Sequence, residues 1–67
     1  MIGLIKMRKT NNLKQKDLAF KVGVKTNTIS QYELGKRNPN PDILKKIAKA
    51  LNCTIDDLLN EETENKN

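Results

Sequence analysis

Apolar residues recur along this chain three and four apart, and no stretch alternates apolar with polar long enough to read as a strand. Leu4, Met7 and Arg8 fall at i, i+3 and i+4, which predicts a first helix over Ile2–Thr10 with one face inward. Asn11 and Asn12 close it, because asparagine tolerates left-handed backbone. Gln15, Leu18, Ala19 and Val22 share one face of a second helix over about 14–22, and Gly23 stops it where a positive φ is needed. Val24 follows as an apolar plug. A third helix over Thr26–Leu34 turns Ile29 and Tyr32 inward; Thr26 or Thr28 is available to bond the free N–H groups at its start, and Gly35 ends it. A polar, basic loop over 36–39 leads to Asn40, a cap, and Pro41, whose missing N–H costs nothing at a first helical position. Leu44, Ile47, Ala48 and Leu51 stripe a fourth helix that Asn52 ends. Thr54 and Asp57 have capping-box spacing for a short fifth helix, with Ile55, Leu58 and Leu59 on its apolar side. No internal repeat is visible. The expectation is an all-α, five-helix domain over 1–60, followed by a polar, acidic tail over 61–67 that has nothing to bury and is expected to be disordered.

Size narrows the functions open to such a chain. A domain of 67 residues buries only about 60% of the surface its unfolded chain exposes, which leaves no room for a cofactor pocket. No cofactor and no small-molecule ligand are expected. The chain has no histidine, one cysteine and no metal-ligand cluster, so neither an enzyme nor a metal site is expected. Cys53 cannot form an internal disulfide and lies among apolar residues, which reads as a buried, inert thiol. There is no membrane-length apolar run and no signal-peptide core at the start, so a cytoplasmic location is expected.

Charge points to a partner. The net value is +5, but residues 1–53 carry 12 Lys/Arg against 3 Asp/Glu, while residues 54–67 carry one Lys against 5 acids. A basic body with an acidic end suits a polyanion, although a merely solvated lysine-rich surface has the same composition.

The segment from Gln15 to Leu34 reads helix, glycine-containing turn, helix. Two helices meeting steeply need a small residue at their closest approach, a glycine at the corner and apolar contacts behind it. Ala19, Gly23 and the set Leu18, Val24 and Ile29 meet those needs. From Leu4 to Leu59, without gaps, the chain resembles the phage-repressor and Cro-like, or XRE-type, helix-turn-helix family. The matching residues include Arg8, Leu13, Gln15, Leu18, Ala19, Val22-Gly23-Val24, Thr28-Ile29-Ser30, Tyr32-Glu33, Gly35-Lys36-Arg37, Pro39, Leu44, Ala48, Ala50-Leu51 and Thr54 to Leu59.

The resemblance implies a lambda-repressor-like fold with its helix-turn-helix at helices 2 and 3, and a sequence-specific regulator of transcription in the repressor mode that binds double-stranded DNA. It makes the helix beginning at Thr26 the recognition helix. Thr26, Asn27 and Gln31 are then the base-reading set. Asn27 and Gln31 stand i, i+4 with amides able to bond an adenine edge twice, and Thr26 can meet a thymine methyl or a phosphate, or merely be solvated. Gln15, Lys25, Thr28, Ser30, Lys36, Arg37 and Asn38 are assigned to the DNA backbone, which gives affinity without sequence information. The resemblance also pairs Arg8 with Glu33, a structural bond that holds the recognition helix.

Lys25 stands where the family often has a capping Ser or Thr, Asn52 where it often has Gly, and Pro41 where it often has Leu. Ile5, Phe20 and Leu34 are apolar where the family is usually polar; two of them lying together would make a partner patch. One recognition helix reads few base pairs, so a homodimer on a near-palindromic operator is expected, weak on its own and completed by DNA. Ile55, Leu58 and Leu59, with the end of the fourth helix, are open to two readings: the dimer interface, or the last part of the core. The rival function is an antitoxin or an accessory protein-interaction module on the same fold. RNA binding is disfavoured, because Phe20 and Tyr32 are the only aromatic residues available to stack on bases.

Overall fold

The computed structural model describes residues 1–60; the expected tail over 61–67 lies outside them. Five helices follow one another: α1 (Ile2–Thr10), α2 (Gln15–Val22), α3 (Thr26–Leu34), α4 (Pro41–Ala50) and α5 (Ile55–Leu59). No strand occurs among the described residues. Helix α2 begins one residue later than its apolar spacing suggests. Lys14 is extended, with φ −82° and ψ 163°, and its N–H donates to the Asp17 carboxylate at 3.0 Å. Likewise Leu51 is the C-terminal cap of α4 rather than a helical residue.

The first four helices end in the same way. Asn12, Gly23, Gly35 and Asn52 each take positive φ, at 58°, 87°, 76° and 54°. The next residue in each case turns its N–H back to a carbonyl in the last helical turn: Leu13 to Arg8, Val24 to Ala19, Lys36 to Gln31 and Cys53 to Ala48. This is the hydrogen bonding of the Schellman closure, which commonly adds an apolar contact from that next residue. Leu13, Val24 and Cys53 do pack on the core, whereas Lys36 is exposed.

Helix starts differ. The Asn40 side chain accepts from the Ile43 N–H at 2.8 Å, and Thr54 and Asp57 bond each other's N–H groups at 3.0 Å, as their spacing predicts. Helix α3 has no side-chain cap. The expectation that Thr26 or Thr28 caps it is overturned: the residue in cap geometry is Lys25, which has no acceptor to offer.

The core is Leu4, Leu18, Ala19, Val22, Ile29, Tyr32, Ile47, Ala48, Leu51 and Leu58, so every helix contributes. Leu4, Leu18, Ile29, Ile47, Leu51 and Leu58 are wholly enclosed, each stabilising the fold by about 1.5–3 kcal/mol. Helices α2 and α3 pack together, α4 packs behind α2, and α5 packs on α1. That last pair meets at Gly3. A Cβ there would collide with the Asp57 carbonyl oxygen and lie 2.7 Å from that of Leu58. The side chain of Asn11 joins the ends of α1 and α4, donating to Met7 O at 2.8 Å and Leu51 O at 3.1 Å.

Of the two readings of the α5 apolar residues, the core takes Leu58, which is fully buried, and Ile55, which packs on it, so of the three only Leu59 is well exposed. Their apolar face is used up in closing a core too small to do without it. Cys53 is half-buried rather than buried; burial pushes its thiol pKa up from the usual value, and the nearby Asp57 carboxylate adds to the effect.

Candidate nucleic-acid interface

Helix α3 divides cleanly into two faces. Ile29, Tyr32 and Glu33 point inward and are buried, while Thr26 and Asn27 are exposed, and Ser30 and Gln31 are partly so. Asn27 and Gln31 are therefore on the accessible side, about 5–6 Å apart at Cβ as i, i+4 neighbours in a helix. Thr28 is half-buried or less, at the border with the inward face. Leu34, 66% exposed, continues the outward stripe seven residues after Asn27. By composition Leu34 is only an apolar departure from the family pattern; the i, i+4, i+7 spacing of Asn27, Gln31 and Leu34 is the signal that places it on this face.

The inward face is held by charge. Glu33 is buried and its carboxylate collects three donors: Arg8 Nε at 2.6 Å, Arg8 Nη2 at 3.3 Å and Gln15 Nε2 at 2.8 Å. Arg8 Nη1 donates to Leu13 O at 2.8 Å. One carboxylate thus ties α1 and α2 to α3, and Arg8 in turn holds the link between α1 and α2 at Leu13. The pairing of Arg8 with Glu33 is as expected; the bond from Gln15 adds a second tie. Glu33 is the one acidic residue of α3, and Arg8 cancels it from below, so the outward face presents no negative charge.

Gln15 sits at the first position of α2, half-buried. Its amide has two N–H donors, and Glu33 takes one. The second N–H is left for another acceptor, at a helix start whose first backbone N–H groups have no intrahelical acceptor. Neither Lys14 nor Lys25 caps its helix with a side chain, but Asp17 already puts a carboxylate in the first turn of α2, whereas the first turn of α3 holds none. An uncapped start without an acid favours an external anion, since its N–H dipoles point at it. Lys25 precedes α3, and Lys36, Arg37 and Asn38 follow it; all four are exposed. The structure thus places the base-reading candidates Thr26, Asn27 and Gln31 on one rigid face, with cations at both ends.

This arrangement matches a known family. The family model described as helix-turn-helix matches residues 4–58, nearly all of the described chain. The chain belongs to the XRE-type helix-turn-helix family. That family is one of DNA-binding transcriptional regulators. The chain is 42% identical over 59 residues to the HTH-type transcriptional activator BcrR of Enterococcus faecalis, covering 88% of this chain and 29% of that protein. It is 36% identical over 63 residues to the HTH-type transcriptional regulator YqaE of Bacillus subtilis, covering 94% and 54%. It is 46% identical over 48 residues to multiprotein-bridging factor 1 of Debaryomyces hansenii, covering 72% and 32%. In these three cases the chain spans from under a third to about half of its relative's length. No solved structure gives a significant match. No helix among the described residues is long and apolar enough to cross a membrane.

Proposed function

We propose that this chain binds double-stranded DNA sequence-specifically, inserts α3 into the major groove, and regulates transcription by occupying its site, as a repressor does. The observation that carries this reading is the outward face of α3: amides on Asn27 and Gln31 with no acid beside them, held from behind by the Glu33 network. Asn27 and Gln31 are of the right chemistry to bond adenine edges, and Thr26 to touch a thymine methyl or a phosphate. Gln15, Lys25, Thr28, Ser30, Lys36, Arg37 and Asn38 are the backbone contacts in this reading. They lie at the helix starts, along the flank of α3 and in the following loop.

Two copies on a near-palindrome, about 34 Å apart, would supply the specificity that one short helix lacks. With Leu58 in the core, the apolar surface left for such pairing at α5 is Leu59, with Ile2 of α1 also exposed. Selection of bound sites from random duplexes, repeated with Gln31→Ala, tests the reading. The expected result is one enriched palindrome for the native chain and a relaxed preference at one position per half-site in the variant, worth about 1–3 kcal/mol. Identical preferences from both proteins would remove Gln31 from the base-reading set, and no enrichment from either would end the proposal. A second reading, a protein-bridging module on this fold, is favoured by the name of the multiprotein-bridging relatives. Where such a module does not also bind DNA, it predicts no enriched duplex.

A further inference from the structure

Helices α2 and α4 leave an open depression of about 490 Å³ between them, lined by Phe20, Lys21, Val22, Gly23 and, from α4, Lys46, Lys49 and Ala50. Phe20 is 88% exposed at its rim, the most exposed large apolar side chain among the described residues. On sequence alone Phe20 falls with Ile5 and Leu34 as an apolar departure from the family; in the structure it borders the same depression as the α4 residues Lys46 and Lys49. Lys21, Lys46 and Lys49 are exposed and make no ion pair among the described residues, and no carboxylate lines the hollow. None of these residues belongs to the proposed DNA-contacting set, so the face and its role are independent of the DNA reading.

We propose that this face docks an acidic protein segment carrying a large apolar side chain, with Phe20 and Ala50 receiving the apolar group and the three lysines its carboxylates. Three observations favour that occupant. A phosphate backbone would satisfy the lysines but would offer Phe20 no apolar surface. A second copy meeting the same face across a two-fold axis would bring two sets of three lysines together, and like charges in register oppose docking. Residues 61–67 of this chain carry three glutamates but no large apolar side chain, so their composition meets the need of the lysines and not that of Phe20. An acidic-apolar segment meets both needs at once, its apolar group against Phe20 and its carboxylates against the lysines.

The test is selection of a random dodecapeptide display library on the full chain, with Phe20→Ala as the subtracting protein, followed by anisotropy titrations of the selected peptides. Phe20 packs against so little that Phe20→Ala should melt at the native temperature, and Lys46→Glu/Lys49→Glu provides an independent exposed variant. The expected peptides combine Asp or Glu with Leu, Phe or Trp. They should bind Phe20→Ala about tenfold or more weakly, and the charge-reversed variant not detectably. Peptides with their acids changed to Lys should recover binding to the charge-reversed variant. The proposal is overturned if nothing enriches, if the peptides are neutral or basic, or if they bind Phe20→Ala equally well. It is also overturned if Phe20→Ala dissociates a native dimer in sedimentation, which would make the face a self-interface, or lowers duplex affinity, which would give it to DNA.

Discussion

Replacing Glu33 with Ala takes the acceptor away from three donors at once. The side chains of the Arg8–Glu33 pair are 12% and 6% exposed, so water screens the pair little and cannot readily replace the lost partner. After Glu33→Ala, Arg8 keeps only its bond to Leu13 O at 2.8 Å, and the Nε2 of Gln15 loses its 2.8 Å acceptor. Breaking a buried pair by removing one partner typically costs about 3–5 kcal/mol, because a charge is left uncompensated. A domain of this size has only about 3–9 kcal/mol of stability in all. The variant should therefore melt at least about 12 °C lower, taking roughly 4 °C per kcal/mol as the low end for small domains. Urea denaturation followed by circular dichroism measures the loss directly, and an unchanged m-value shows that the cost is stability alone. A double variant, Arg8→Met/Glu33→Leu, should recover most of the loss, since burying a matched apolar pair avoids the desolvation of both ions. If Glu33→Ala costs less than about 1 kcal/mol, the value of a surface ion pair, the network is not what holds α3 in place.

Single positions give further tests. Gly3→Ala should destabilise by about 1–3 kcal/mol despite alanine's better helix propensity, because α5 backbone must move to admit the methyl group; a rise in melting temperature would show that α5 yields freely. Gly35→Ala should cost about 1–2 kcal/mol for a different reason: nothing lies within 4 Å of the added Cβ, so the penalty is its φ of 76° alone. A synthetic chain with D-alanine at position 35 tests this, since it should be at least as stable as the native protein. Cys53, with its thiol pKa raised, should alkylate with iodoacetamide more slowly than an unstructured cysteine at pH 8. A raised folded-state pKa means that any associated stabilisation is full below the unfolded pKa and fades as pH climbs above it.

Most of the fold is legible in the sequence because its boundaries are chemical. Asn12, Gly23, Gly35 and Asn52 are residue types that accept left-handed backbone, and Asn40-Pro41 and Thr54-Asp57 are local cap patterns, so helix ends can be read within a few residues of where they act. What cannot be read depends on partners far along the chain. Gly3 looks like an ordinary weak helix residue until α5 arrives more than fifty positions later. Leu58 has the spacing of a surface stripe as much as of a core, and only the meeting of α1 and α5 decides it. The environment of Phe20 is set by α4, and local sequence around α2 carries no trace of it. At the candidate DNA face, residue chemistry and helical phase suffice for Asn27 and Gln31, but the bond from Gln15 to Glu33 needs the packed structure.

Helix α3 departs at both of its ends from what its neighbours α2 and α4 do, and such a departure is where a functional surface should show itself. Helices α4 and α5 are capped by Asn40 and Thr54, and α2 has the Asp17 carboxylate bonded to the Lys14 N–H, while α3 begins at Lys25 with neither a side-chain cap nor an acid in its first turn. The closures of α1, α2 and α4 place Leu13, Val24 and Cys53 on the core, while that of α3 places exposed Lys36 in the same position. In both cases a stabilising choice has been replaced by a cation at an end of the proposed recognition helix. The backbone of Lys25, with φ −78° and ψ 152°, already suits a cap, so Lys25→Ser should stabilise the domain by about 0.5–2 kcal/mol. If Lys25 meets a phosphate, the same change should lower the slope of log affinity against log salt by about one unit on a selected duplex. A gain in melting temperature with the salt slope intact would show that the missing cap has nothing to do with DNA. Loss of slope without any gain in stability would show that the start of α3 gains nothing from a cap.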